Sequence, residues 1–317
     1  GGAGMSSTPD SIDRSRFGRI ALACGGDSAE REVSLRSGRA VAAALDALGL
    51  DYAVVDGARA VVEAGAAGRF DRVLNLLHGR GGEDGQLQGA LALYGIPVTG
   101  SGVLASALAM DKLQTKRIWA AIGLPTPEWR SVGAADPVEE LLAQLNLPLF
   151  VKPAREGSSV GMSRVDRPEQ LAPALALALQ HDCNVLVERL IQGPEYTAAI
   201  LGDAVLPLIR VETPRTFYDY QAKYHAGDTR YHCPCGLPAA REAELAELSR
   251  SAFDALGCRG WGRIDFMLDE SGRPWLLEAN TVPGMTDQSL VPMAAAVAGI
   301  DFNALVLRIL DSAGEWT

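Results

Sequence analysis

Asp265, Glu278 and Asn280 are hard-oxygen donors on two segments that read as neighbouring strands, Ile264-Asp265-Phe266-Met267-Leu268 and Pro274-Trp275-Leu276-Leu277-Glu278 with its continuation to Asn280. Asp269-Glu270-Ser271-Gly272 between them has the composition of a turn, so the unit reads as a hairpin. A turn centred on Glu270 and Ser271 sets Arg263 opposite Glu278 and Asp265 opposite Leu276. Side chains alternate between the faces of a strand. Arg263, Asp265, Glu278 and Asn280 are therefore expected on one face, and Ile264, Phe266, Leu277 and Ala279 on the other, apolar one. Two carboxylates and an amide are costly to bury unpaired. A magnesium ion, which takes a few oxygen ligands from protein and the rest from water and phosphate, would balance them. An Arg263–Glu278 cross-strand pair on a solvated face accounts for the same residues without a metal.

A second chemical signal is Lys152-Pro153-Ala154-Arg155-Glu156-Gly157-Ser158-Ser159-Val160-Gly161, which directly follows a strand-like run. Glycine lets backbone approach a ligand closely, hydroxyl and N–H groups donate to phosphate oxygens, and Lys152 supplies a point charge. A flexible hairpin loop explains the same residues. No G-x-x-x-x-G-K-[ST] run is present, and Gly257, Gly260 and Gly262 are in the wrong order for a dinucleotide loop. Asp27-Ser28-Ala29-Glu30 reads as a capping box, with Glu30 reaching back to Asp27. Taken singly, His78 is a polar loop residue, and Lys112 and Lys223 are solvated lysines.

These residues need elements to hold them. Strand-like runs at 19–24, 52–55 and 72–77 alternate with helical runs at about 29–48 and 86–94, which implies a parallel sheet. In such sheets the loops at the strand C-termini build the site, and Gly25-Gly26 and His78–Gly85 lie there. Met110-Asp111-Lys112 opens a helix that stops near Gly123, before Pro125 and Pro127. Boundaries are expected near residue 107 and near residue 192, giving segments 1–107, 108–191 and 192–317, the last α+β. The polar and aromatic run Thr213–Leu237 has little periodicity and reads as a functional lid.

A formal charge of -10 disfavours a nucleic-acid partner, which would want a basic patch. No apolar run is long enough to span a membrane, and no secretory-type apolar region opens the chain. The five scattered cysteines suit reduced thiols, so a cytoplasmic location is expected.

Taken together and in order, several segments resemble the D-alanine–D-alanine ligases of the ATP-grasp superfamily. They are Gly25–Ser34, His78–Gly85, Met110–Lys112, Lys152–Met162, Gly193–Glu195, Lys223-Tyr224, Gly262–Asp265 and Glu278–Thr286. The resemblance implies an ATP-grasp fold behind an N-terminal Rossmann-like domain, with ATP between the central and C-terminal domains. It implies that one D-alanine takes the γ-phosphoryl group of ATP. The amine of a second D-alanine then attacks, giving a dipeptide for peptidoglycan.

By the same resemblance, Lys112, Lys152 and Lys223 contact phosphates and Ser158 and Ser159 belong to the lid over them. Glu188 and Ile191 lie where the family binds adenine, and Glu195 where it binds ribose. Asp265, Glu278 and Asn280 hold two magnesium or manganese ions, and Arg263 with the Gly284 N–H stabilises the oxyanion. Glu30, with His78 nearby, receives the ammonium of the first D-alanine, while Ser289 and Leu290 receive the carboxylate of the second. Ser158 and Tyr224 link to Glu30. Tyr224 after Lys223 accompanies dipeptide rather than D-lactate products in the family. Relatives are usually homodimers. The chain departs from the family pattern at Gln288, where many relatives have His, and at Cys235, which replaces a small residue.

Overall fold

The computed structural model describes residues 13–133, 138–157, 160–213 and 229–314. Ser158, Ser159, Lys223 and Tyr224 lie outside the described residues.

Three sheets organise the chain. The first is parallel, with β1 (Ile20–Cys24) between β2 (Tyr52–Asp56) and β3 (Arg72–Asn75). β1 is buried along its length because helices cover both its faces, so its sequence is a continuous apolar run rather than an alternating one. Helix α1 (Arg31–Leu48) follows β1, α2 (Ala58–Ala66) follows β2, and α3 (Gln86–Ala92) follows β3 and its glycine loop. Gly49 ends α1 in the left-handed region at φ 64°, its N–H bonded to Asp46 O, while the Leu50 N–H reaches Leu45 O. Two helices lead onward, α4 (Val103–Met110) and α5 (Lys112–Ala121). Asp111 caps α5 by accepting from the Leu113 and Gln114 N–H groups, which starts the helix at Lys112.

The second sheet is antiparallel, in the order β4 (Trp129–Val132), β7 (Val185–Arg189), β5 (Leu149–Pro153), β6 (Ser163–Val165). Helices α6 (Val138–Gln144) and α7 (Leu171–Ala178) accompany it. The third sheet runs β11 (Arg230–His232), β10 (Ile209–Glu212), β8 (Glu195–Leu201), β12 (Trp261–Leu268), β13 (Pro274–Asn280), with the short β9 (Ala204–Val205) also on β8. Helix α8 (Ala239–Ala255) packs on it, and α9 (Leu290–Val297) and α10 (Phe302–Asp311) complete the chain. The largest core is shared between distant parts of the chain. Leu22, Val41, Leu45 and Leu74 meet Val291, Leu305 and Ile309 in one apolar cluster. Among the described residues, no single helix is long and apolar enough to cross a membrane.

Three expectations need correction. In the hairpin Arg263 faces Asn280 and Asp265 faces Glu278, with a bulge between Asp265 and Phe266, which faces Leu276. The turn closes one position later than its composition suggests, and the bulge at Leu277 adds a second position of shift. The functional face keeps all four residues, but Leu276 rather than Leu277 enters the apolar core. The second correction is at α1. Its N-cap is Glu30 itself, with no side-chain capping bond, so the capping box on Asp27 does not form. Third, part of the run expected to be an unstructured lid is strand β11, paired with β10 through Arg210–His232 and Glu212–Arg230. Three polar residues on a sheet edge are too few to show a period.

Candidate active site

The functional face of the hairpin is made where β12, buried between β8 and β13, meets its edge partner. Arg263 grips Asp265 with a fork, Nε to Oδ1 and Nη2 to Oδ2, both at 2.7 Å. Thr197 on β8 also donates to Asp265 Oδ1, at 2.6 Å. Both side chains of the fork are nearly buried, 11% and 6% exposed, so its geometry is held by packing as well as by charge. The fork uses two of the five guanidinium donors. Glu278 Oε2 is 3.6 Å from Lys112 Nζ, which also donates to the Glu156 carbonyl at 2.7 Å. Lys112 therefore ties the hairpin to the glycine-serine loop after β5.

A single cavity is lined by Glu30, Lys112, Arg263, Glu278, Asn280, Gly284, Ser289 and Leu290. These come from four parts of the fold: the start of α1, the start of α5, the hairpin, and the turn leading into α9. That turn is pinned on both sides. The Met285 N–H donates to Ser37 Oγ of α1 at 3.0 Å, and Val282 O lies 2.8 Å from His78 Nδ1. Ser289 is the N-cap of α9, makes no side-chain capping bond there, and instead accepts from the Thr286 N–H at 2.9 Å. A Cβ on Gly284 would come within 2.9 Å of Ser289 Oγ, which explains the glycine at that position.

His78 lines a neighbouring cavity with Glu30 and Gly157. Because Val282 O is an acceptor, Nδ1 must carry the proton, which leaves Nε2 as an acceptor. Nε2 is buried and has no hydrogen-bond partner among the described residues. Burial lowers the pKa of His78 against the opposing pull of Glu30, so the ring is neutral. Glu83 lies in the same region, accepting from the Gly79 N–H. Burial, reinforced by the Glu30 carboxylate, pushes its pKa up to about 8.

A second cluster sits away from the hairpin, on β5 and β7. Glu188 is held between Lys152 Nζ on Oε1 and Lys116 Nζ on Oε2, both at 2.6 Å. Ile191 is buried just beyond β7, and Glu195 opens β8, half-buried. Burial pushes the Glu188 carboxyl up, and its two ammonium neighbours together bring it below its ordinary value. Lys116 faces one anion and one like charge, so for it burial wins and the pKa falls.

The structure thus gathers Glu30, Lys112, Arg263, Glu278, Asn280, Gly284, Ser289 and Leu290 around one cavity, with Asp265 behind Arg263 and His78 behind Glu30. It sets Lys152, Glu188, Ile191 and Glu195 apart, along β5, β7 and β8. Four further polar residues were not singled out by sequence: Lys116, Thr197, Glu83 and Tyr231, the last lining the main cavity from β11. Lys116 had a signal, since it follows Lys112 by one helical turn. Thr197 and Tyr231 had none, because their partners come from strands far away in sequence.

The fold and the site define a class. An antiparallel sheet carrying Lys152 and Glu188, a second sheet carrying the carboxylate hairpin, and a parallel N-terminal sheet make an ATP-grasp architecture. The family model described as "D-ala D-ala ligase C-terminus" matches residues 118–311. The D-alanine–D-alanine ligase of Methylococcus capsulatus is 55% identical over 298 residues, 94% of this chain and 96% of the relative. Among solved structures, the ligase of Bacillus anthracis complexed with ATP superposes with a TM-score of 0.82 at 31% identity, covering 93% of this chain and 97% of that one. The VanG D-Ala:D-Ser ligase of Enterococcus faecalis gives a TM-score of 0.82 at 30% identity, covering 93% and 98%. The chain belongs to the D-alanine–D-alanine ligase family.

Proposed function

We infer that this chain joins two molecules of D-alanine into D-alanyl-D-alanine, converting ATP to ADP and phosphate, and so supplies a dipeptide for peptidoglycan. Family membership over nearly the whole chain carries the reading. The convergence of charged groups on one cavity supports it.

A carboxylate and an amine do not condense usefully in water, so the carboxylate must be activated first. Glu30 receives the ammonium of the first D-alanine, and His78 Nε2 accepts a further hydrogen bond from it. A carboxylate oxygen of that D-alanine attacks the γ-phosphorus, ADP leaves, and D-alanyl phosphate results. Lys112 and Lys152 neutralise phosphate charge, with Ser158, Ser159 and Lys223 joining them. Phosphoryl transfer needs little beyond such positioning and neutralisation. Glu188 and Ile191 receive the adenine, and Glu195 the ribose.

The amine of the second D-alanine then attacks the acyl carbon. The oxyanion that forms meets Arg263, already aimed by its fork to Asp265, and the Gly284 N–H. Collapse expels phosphate, and the amine loses its proton. Ser289 and the Leu290 N–H, at the uncapped start of α9, hold the carboxylate of the second substrate. Tyr224 and Ser158 close over Glu30, keeping water from the acyl phosphate.

The donor set fits a hard divalent cation. Asp265 Oδ2 accepts one bond from Arg263 and Asn280 Oδ1 one from the Val282 N–H. Each such oxygen has a second lone pair. Asp265, Glu278 and Asn280 would hold two magnesium or manganese ions, which when bound neutralise the phosphate oxygens of ATP.

We further propose that the chain divides at 107 and 191 into N-terminal, central and C-terminal domains, supported by the confinement of each sheet to one segment. A homodimer and a cytoplasmic location complete the reading.

The test is phosphate release from ATP and magnesium with D-alanine alone, with D-alanine plus D-lactate, and with D-alanine plus D-serine, with mass analysis of products. Release that needs only D-alanine, with the D-alanyl-D-alanine mass, is expected. A predominant D-alanyl-D-serine mass would transfer the chain to the specificity named for the VanG enzyme. No release in any mixture would overturn the reading.

A further inference from the structure

Lys116 occupies an unusual position for a lysine. Its side chain is fully buried, at 0% exposure, whereas Lys152, on the other oxygen of Glu188, is 12% exposed. Its Nζ lies 2.6 Å from Glu188 Oε2 and donates to Thr126 Oγ1, also at 2.6 Å. Thr126 in turn donates to Leu276 O at 3.1 Å, and the Leu276 N–H bonds to Pro125 O. Lys116 therefore stands beneath the cleft, joined on one side to β7 and on the other to the strand that carries Glu278. Enclosed in this way, it cannot itself reach a nucleotide.

We propose that Lys116 is a positioning residue for nucleotide selection: it keeps Glu188 an acceptor-only carboxylate after Lys152 turns from Glu188 to the phosphates. The inference rests on the placement of ATP given above. Lys152 and Glu188 lie 2.6 Å apart and satisfy one another. When ATP binds, Lys152 is shared with or surrendered to phosphate, and a buried carboxylate stripped of its last cation is strongly unfavourable. Lys116 is the cation that stays. An ionised carboxylate only accepts hydrogen bonds. It therefore suits the 6-amino group of adenine and opposes the 6-oxo group of hypoxanthine. Without the Lys116 charge, Glu188 either retains Lys152, weakening the phosphate grip, or takes up a proton and can donate to a 6-oxo base.

The experiment uses the full chain and compares ATP with ITP. Initial rates of nucleoside diphosphate release at saturating D-alanine give KM and kcat, and calorimetry gives binding of each nucleotide without turnover. Lys116→Met is expected to raise KM for ATP about tenfold or more, the loss of a charge-assisted contact. The two D-alanine constants should stay near wild type, and the ATP-over-ITP preference in kcat/KM should shrink at least about fivefold. Lys116→Met leaves the buried Glu188 carboxylate with Lys152 as its one cation among the described residues, which opposes folding, so the double variant Lys116→Met/Glu188→Gln is the second arm. It removes the fully buried pair of charges together, leaving Lys152, at the edge of the cluster, with the amide oxygen, and the amide both donates and accepts, so ATP and ITP should bind nearly alike. Wild-type ATP KM and wild-type preference in whichever variant folds would overturn the proposal. So would a fall in kcat with KM for ATP unchanged. If wild type turns over no D-alanine yet binds ATP, the substrate reading fails while the calorimetric comparison still decides the role of Lys116.

Discussion

Replacing Gly157 with alanine separates the first substrate's site from fold stability. Gly157 lies in the loop after β5, in an ordinary backbone region, and a Cβ built on it would sit 2.5 Å from Glu30 Oε2. A comfortable carbon–oxygen approach is about 3.3 Å, so the carboxylate must retreat by about 0.8 Å. The obstructing atom is the tip of a flexible side chain, so the chain folds around the methyl group. Gly→Ala at a compatible backbone even stabilises by about 0.4–1 kcal/mol through the unfolded state. The chemistry suffers, because a misplacement of about 1 Å costs on the order of a hundredfold. We expect the constant for the first D-alanine to worsen about ten- to fortyfold by the same scaling, with Tm unchanged or slightly raised. Gly284→Ala is the mirror control. Its Cβ would meet Ser289 Oγ at 2.9 Å, a smaller conflict at the other subsite, so the second D-alanine constant should worsen by a lesser factor. ADP release across a range of D-alanine concentrations resolves the two constants, and thermal unfolding reports stability. If Gly157→Ala leaves the first constant at its wild-type value, or lowers Tm while sparing both, Glu30 does not receive the first substrate.

Glu278→Gln should reduce turnover by about a hundredfold or more by weakening the shared cation ligand; ADP release at near the wild-type rate without any added magnesium would refute the metal assignment. Arg263→Lys cannot rebuild the fork to Asp265 and should lower kcat by about a hundredfold with the ATP KM little changed. A rise in the ATP KM alone would move Arg263 out of the oxyanion site. Glu83 gives a pH prediction. Its pKa rises from 4.5 to about 8 on folding, so its contribution to stability is fully present below the lower value and is lost as pH rises through the upper one. Glu83→Gln removes that slope. Its Tm relative to wild type should therefore rise between about pH 5 and pH 9 when followed by calorimetry; a constant difference would show that Glu83 is already ionised.

Much of this protein is local enough to be read along the chain. The apolar run at β1, the Asp111 cap on α5 and Gly49 at the end of α1 are decided by neighbours a few residues away. The placement of Asp265 and Glu278 on one face also follows, because a hairpin brings together segments separated by a short turn. The register of the hairpin did not follow: a bulge falls at Leu277, and its neighbour Leu276 is bonded from outside the hairpin by the Pro125 carbonyl and the Thr126 hydroxyl, which turn composition does not reveal. Glu30 shows the same division. Local sequence favoured a capping box, and tertiary packing set the carboxylate against Gly157 instead. Lys112, Lys152 and Glu188 were recognisable as residues, yet their partners were chosen by three different elements meeting: Lys112 with the Glu156 carbonyl, and Glu188 between two lysines. Charge in a low-dielectric interior is governed by distance and burial, neither of which is a property of sequence order. For that reason the chain alone determined which groups were available for this chemistry, and only the folded structure decided which of them are neutral, which are paired, and which face the substrate.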